Sequence, residues 1–441
     1  MSELNTSDGV RGALSKPTVR RLLAVAVAAV CIAVRLPKWH TESVDYQVFL
    51  QTWYHYIADN GGLRALDDPG FADYNVPYLY LLAGLTHLPV SALTGIKALS
   101  VAFDLLQAFF VFKLVALRFP GRSAWQPFAA ALLAVLLPTV AANSGWWAQA
   151  DSIYTSFVVA GVYFVLRHRP WWACTMLGLA FAFKLQTVFV FPFLLVMAVT
   201  RQVKWQSLLA VPAVYLALDV PALLVGADPV QLLTVYGRQT GTYQSLALNA
   251  PSLYHFIEKP GSPGTADLIR SIGVVSAAVV VLALTALAVL SRTGRRTMRR
   301  ASTGASLTPD QVLLTALASA VTVPMLLPSM HDRYFYMVDV LSLVVAFQLP
   351  RRLWYVPFLA QAASMASYLP FLYYELPDHY RKYHWSTNEW RLISGLMVLA
   401  ALAVLTAAVR EYRRGPAETA PVEPVSAHDP DRPPAEAALS S

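Results

Sequence analysis

The chain has 441 residues, 56% hydrophobic and only 14% charged, against about a quarter charged in ordinary soluble domains. With a mean hydropathy of +0.48 it has too little polar surface for a soluble enzyme of this length, and too much apolar content for a disordered chain. The net charge of +8 lies in short Arg and Lys clusters between apolar runs, which points to membrane topology and away from nucleic acid.

Residues 1–20 read as a polar cytoplasmic tail ahead of Arg20 and Arg21. The first apolar run, Leu22 to Leu36, is short, but no small-x-small cleavage site follows it, so a retained helix is expected rather than a signal peptide. Further runs fall near 98–117, 125–142, 152–166, 171–183, 187–200, 206–225, 271–290, 312–328, 335–350, 353–370 and 391–409. Residues 413–441 are rich in Pro, Ala and acid and read as a disordered cytoplasmic tail. The expected fold is an all-α polytopic bundle over 21–412 with about 12 transmembrane helices. Cys31 and Cys174 both lie inside apolar runs and read as small buried hydrophobes.

The segment Tyr78 to Val90 sets the parity of this map. If it spans, every later loop is inverted; if it is re-entrant or interfacial, both termini are cytoplasmic. The second arrangement puts Arg118, Arg167, Arg201, Arg292, Arg351 and Arg410 with the other basic clusters on one side and leaves only scattered basic residues opposite, as the positive-inside rule prefers. Three outer loops follow, at about 38–96, 226–270 and 371–390, all rich in aromatic residues. Only 8 of the 34 basic residues are Lys, a bias that fits a GC-rich bacterial source and hence a bacterial inner membrane.

Polar residues with chemical potential cluster on the outer side. Asp45 follows the first run directly, where a fixed carboxylate can act as general base toward a hydroxyl. A helix-like stretch from Gln47 to Ile57 puts Phe49, Trp53 and Tyr56 on one face, and Asp67 and Asp68 read equally as solvated loop acids or as functional carboxylates. Asp73 to Tyr78 precedes the next apolar segment, and Asn143 to Asp151 closes the third run. Lys184 sits between apolar neighbours, where an unpaired charge costs about 2.5–3.5 kcal/mol. It therefore needs a partner, either an anionic phosphate or Asp151. His331 and Arg333 close the ninth run, and Arg presents a planar fork suited to phosphate oxygens. A local Asp332–Arg333 charge balance is the competing reading.

In order and spacing these residues resemble the C-type (GT-C) membrane glycosyltransferases that use lipid-phosphate sugars, in particular bacterial relatives of the dolichol-phosphate-glucose and dolichol-phosphate-mannose transferases. The likeness covers most of 20–410 and rests on Asp45, Tyr74 to Pro77, Trp147-x-Gln149-x-Asp151, Lys184-x-Gln186, Asn249 to Pro251 and His331 to Tyr334. It implies an inverting single displacement from a polyprenyl-phosphate sugar, with mannose or glucose favoured, to a lipid, glycan or protein acceptor outside the membrane. Asp45 would be the base. Arg333, His331 and Lys184 would bind the donor phosphate, and Trp147, Gln149, Asp151, Gln186, Tyr74, Asn249 and Tyr334 would shape the sugar site. No cofactor is implied, and no nucleic-acid partner. Position 148 is Ala and position 76 Val where the family commonly has Gly and Pro, and no Asp-Glu or Asp-x-Asp pair stands in the first loop, which puts a metal requirement in doubt.

Two other classes compete. A secondary transporter or lipid-linked-sugar flippase would use Asp104, Asp219 and Asp339 inside the spans, although no half-to-half repeat is visible. A polymerase or ligase using lipid-diphosphate donors would differ only in its leaving group.

Overall fold

A computed structural model describes residues 16–120, 124–239, 245–257, 261–298, 307–375, 380–381 and 384–414. Most of the expected terminal tails, and with them Arg11, Arg122, Tyr243, Arg299 and Arg300, lie outside the described residues. The fold is all-α. Among the described residues the only ladders are two-residue pairs, including β1 (Ala247–Leu248) beside β2 (Met330–His331).

All twelve apolar runs are helical. In chain order the helices are α1 (Pro17–Ala33), α2 (Gln51–Asp59), α3 (Val76–Leu85), α4 (Ala92–Arg118), α5 (Gln126–Leu136) and α6 (Pro138–Ala142). They continue with α7 (Asp151–Leu166), α8 (Pro170–Phe183), α9 (Phe191–Val199), α10 (Ala210–Val225), α11 (Pro229–Gln239) and α12 (Pro263–Met298). The last five are α13 (Pro309–Leu326), α14 (Tyr336–Gln348), α15 (Pro350–Leu353), α16 (Val356–Leu372) and α17 (Thr387–Arg413). Among the described residues, five helices are long and apolar enough to cross a membrane, and the bent pair around Pro138 makes a sixth if counted as one span. The segment at issue in the parity argument forms only α3, ten residues and so about 15 Å, half a hydrocarbon thickness.

Local chemistry sets the helix ends. Ser91 caps α4, and Thr308 with Gln311 and Ser386 with Glu389 close capping boxes on α13 and α17. Pro138 removes a backbone donor, and the chain bends by 48° between α5 and α6. α13 and α14 run through the middle of the bundle, with Leu317, Val321, Val340 and Val344 fully or almost fully buried. A second, smaller core gathers Tyr46, Trp53, Ile57, Leu79, Ile96 and Ile153. By contrast α12 leaves Ile272, Val275, Val279 and Leu282 exposed, an apolar face suited to lipid.

Candidate functional site

Two segments distant in sequence set Asp45 and its first donors, and buried polar residues fix both. The first leads from α1 to Asp45. Its turn at 38–41 is held by Lys97 of α4, whose Nζ donates to the carbonyls of Lys38, Trp39 and Thr41 at 2.7–2.9 Å. Ser43 Oγ then accepts from Tyr46 N and donates to the carbonyl of Trp147 at 2.6 Å, joining the first segment to the second.

That second segment is a π-helical turn, Asn143–Trp147, following α6. π-turns widen a helix and tend to occur at functional sites. Beneath this one lies a sealed charge cluster. Arg35 Nε donates to Asp104 Oδ2 at 3.1 Å and to Ser144 Oγ at 2.7 Å, and Arg35 Nη1 donates to the carbonyls of Cys31 and Val135. Gly145 rests on the Arg35 stem so closely that a Cβ there would lie 2.7 Å from Arg35 Cγ. The turn ends at Ala148, which adopts a left-handed φ of 64°. A Gly there would take that conformation without Cβ strain. Ser100 Oγ holds the next carbonyl, that of Gln149, at 2.8 Å.

These supports bring the second segment's donors to Asp45. Its Oδ2 accepts from Trp147 Nε1 at 3.0 Å and from Gln149 Nε2 at 2.7 Å, and Arg333 Nη2 lies 3.3 Å away. The Arg333 guanidinium sits over the Trp147 ring, 5.0 Å from its centroid. Arg333 also approaches Asp332 Oδ1 at 3.6 Å and Asp151 Oδ2 at 4.0 Å. Asp151 in turn accepts from Asn143 Nδ2 at 2.7 Å and pairs with Lys184. Lys184 therefore finds its partner inside the protein, and its ammonium also stands 5.5 Å from the centroid of Tyr74.

These groups line a cavity of about 1100 Å³. Of the residues expected in the site, Asp45, Tyr74, Trp147, Gln149, Lys184, Gln186, Asn249, His331, Arg333 and Tyr334 all face it, and Asp151 lies just behind, through Lys184 and Arg333. β1 pairing with β2 delivers Asn249 beside His331, and Asn249 takes a left-handed φ of 66°, which Asn tolerates. Tyr74 Oη reaches Gln149 Oε1 at 3.4 Å, and Trp53 and Phe49 continue the aromatic wall. Val188, Val274 of α12 and Leu327 add apolar lining.

Several expectations change at this point. His331 was expected to join the cations, but burial, with help from the Arg333 and Lys184 charges, holds its imidazole down at about 4. It is neutral at pH 7 and can offer a hydrogen bond but no positive charge. Phe49 and Trp53 share one face toward the cavity as expected, but Tyr56 does not join them: it is more than a third exposed and packs on Phe71. Asp68 is not merely solvated, since it accepts from Gly70 N and from Gln231 Nε2. Asp104, named above for an ion pathway, is the buried partner of Arg35.

Sequence reasoning missed Arg35 and Lys97 as supports, though a charge at the edge of an apolar run is itself a signal. Arg238 and Arg270, among the scattered basic residues of the topology argument, also line the cavity with Asp267. Asp332 is a further wall residue. Burial pushes its carboxyl up to about 7 despite the opposing Arg333 charge. Among the described residues no three His, Cys, Asp or Glu side chains are grouped to hold a metal ion.

No protein-family model matches the chain, and comparison with curated proteins finds no significant relative.

Proposed function

We propose that this protein is an integral membrane glycosyltransferase that moves a sugar, mannose or glucose by the resemblance, from a polyprenyl-phosphate donor to an extracytoplasmic acceptor with inversion. The observation that carries this reading is Asp45. Its Oδ2 is committed to Trp147, Gln149 and Arg333, which turns the rest of the carboxylate toward the cavity. A single displacement needs a base fixed in this way. Asp45 takes the proton of the acceptor hydroxyl while that oxygen bonds to the anomeric carbon, and the bond to the donor phosphate breaks with its electron pair leaving on phosphate. Arg333 and Lys184 supply fixed positive charge where the leaving phosphate develops charge, and His331 supplies a neutral donor.

The size and two-sided lining of the cavity support the same reading. At about 1100 Å³ it exceeds the range of about 300–1,000 Å³ typical of small-molecule sites, leaving room for a sugar and an acceptor together. Trp53 and Tyr74 line the cavity with aromatic surface for a sugar, and apolar Val274 leads to the exposed face of α12, a path for a lipid tail. In this reading the bundle crosses a bacterial inner membrane twelve times, with both termini cytoplasmic and the cavity outside.

A carrier or flippase is the second reading, and Asp219 favours it: both carboxylate oxygens are buried within α10 without a hydrogen bond. Incubating the purified protein with labelled polyprenyl-phosphate hexoses separates the two. Donor consumption that falls by about 10²–10⁴-fold in Asp45→Asn, with the variant folded and inserted, supports the transferase. Solute flux without donor consumption supports the carrier, and unchanged turnover in Asp45→Asn removes Asp45 as the base.

A further inference from the structure

Arg333 is held by contacts that leave it unfinished. Its three carboxylate approaches run from 3.3 to 4.0 Å, whereas charge-assisted N–H···O bonds close to about 2.7–2.9 Å. Nε and Nη1 are buried and make no hydrogen bond. The guanidinium lies over Trp147 on the cavity wall, so a change of partner needs only a small swing above the ring. Lys184, by contrast, is closely paired with Asp151. Of the two cations, Arg333 is the one whose carboxylate contacts are all long.

We propose that Arg333 is shared between Asp45 and the donor: in the empty cavity it rests against Asp45, and the phosphate of an entering lipid donor draws it away. This rests on the glycosyltransferase reading above and adds an order of events to it. A carboxylate relieved of a neighbouring guanidinium is a better proton acceptor, so the donor, by taking Arg333, prepares the base before the acceptor is attacked. Without the donor, the base stays paired and the acceptor hydroxyl stays intact.

Competition for one guanidinium has a signature that a simple base lacks. If Asp45 and the phosphate compete for Arg333, removing the Asp45 charge strengthens phosphate binding, and only while Arg333 is present. The test measures binding of polyprenyl monophosphate, without sugar, to the full-length protein in lipid nanodiscs for wild type, Asp45→Asn, Arg333→Gln and the double variant. Asp45→Asn is expected to bind about tenfold more tightly than wild type and Arg333→Gln about tenfold more weakly. The double variant should match Arg333→Gln. Equal or weaker binding by Asp45→Asn overturns the sharing while leaving the transferase reading intact, as does a gain that survives in the double variant. No binding by wild type or Asp45→Asn overturns both. Should Asp45→Asn fail to fold, the wild-type structure with lipid phosphate bound decides. An Arg333–Asp45 separation beyond about 4 Å supports the proposal, and a retained contact of 3.3 Å overturns it.

Discussion

Arg35 and Arg333 are both guanidiniums set among carboxylates, and they are held in opposite ways. Arg35 is 1% exposed, and its side chain meets Asp104, Ser144 and two backbone carbonyls, most of them at 2.7–3.1 Å. Arg333 touches three carboxylates only at 3.3–4.0 Å and keeps buried donors unused beside an open cavity. The first arrangement is closed and leaves no room for a ligand. The second is loosely met and has space, and a ligand can supply the close contacts the protein withholds. Closely met, sealed charge marks the scaffold of this molecule; loosely met charge on a cavity wall marks its site.

The largest expected effect breaks the comparison at its closed end. Arg35→Met leaves Asp104 buried without its partner, which costs about 3–5 kcal/mol, so the variant should give little monodisperse protein and a sharply lowered thermal midpoint in detergent. Arg333→Gln removes a charge whose contacts are long and which borders an open cavity, and should cost clearly less than Arg35→Met. Equal loss of stability in the two variants would erase the distinction between scaffold and site.

An intermediate effect connects the two regions. In Gly145→Ala the new methyl meets Arg35 Cγ at 2.7 Å, Cβ at 2.9 Å and Cα at 3.2 Å, the rigid base of the side chain rather than its movable end. Something must shift, at about 1–3 kcal/mol for such overpacking. The π-turn carries Trp147 and so the hold on Asp45. Donor consumption should therefore fall by more than the stability loss explains, with Arg35 and Asp104 still paired. A variant that is destabilised but turns over at the wild-type rate would show that the turn does not set the site.

How much of this was legible in the sequence follows the range of the interactions. Helices depend on local apolar content and caps, and every apolar run from Leu22 onward coincides with one. The bend at Pro138 is equally local, since it comes from a missing N–H. The site depends on side chains far apart in the chain. Asp45, Gln149 and Arg333 each stood out as polar residues on the outer side, but nothing in their spacing shows that a single oxygen of Asp45 receives all of them. The choice between phosphate and Asp151 as partner of Lys184 was likewise open until the fold placed Asp151 against it. The π-turn had no readable signal either: Asn-Ser-Gly-Trp-Trp reads as a helix end, and the widened turn comes from Arg35 and Ser43 gripping it from below and beside.

The smallest effect sharpens the open end of the comparison through pH. Asp332 carries its proton in the folded protein up to about pH 7, while an unfolded chain releases it near pH 4. Between those values the native state binds more protons than the unfolded state, so this group makes stability fall as pH rises, and the loss is complete above pH 7. His331 acts in the opposite sense. Its folded value of about 4 lies below the ordinary 6.5, so its contribution grows as pH rises from 4 to 6.5. In the wild type the two slopes oppose each other over that window. Asp332→Asn keeps an oxygen for the backbone N–H of Arg333 while removing the titration. The variant should gain on wild type as pH rises from 5 to 8, by about 2–4 °C in thermal midpoint, and below pH 6.5 should show the His331 slope alone. A midpoint difference that stays constant from pH 5 to 8 would mean that Asp332 does not hold its proton in the fold. Arg333 would then face three charged carboxylates in the empty cavity, and an entering phosphate would have one more competitor for its charge.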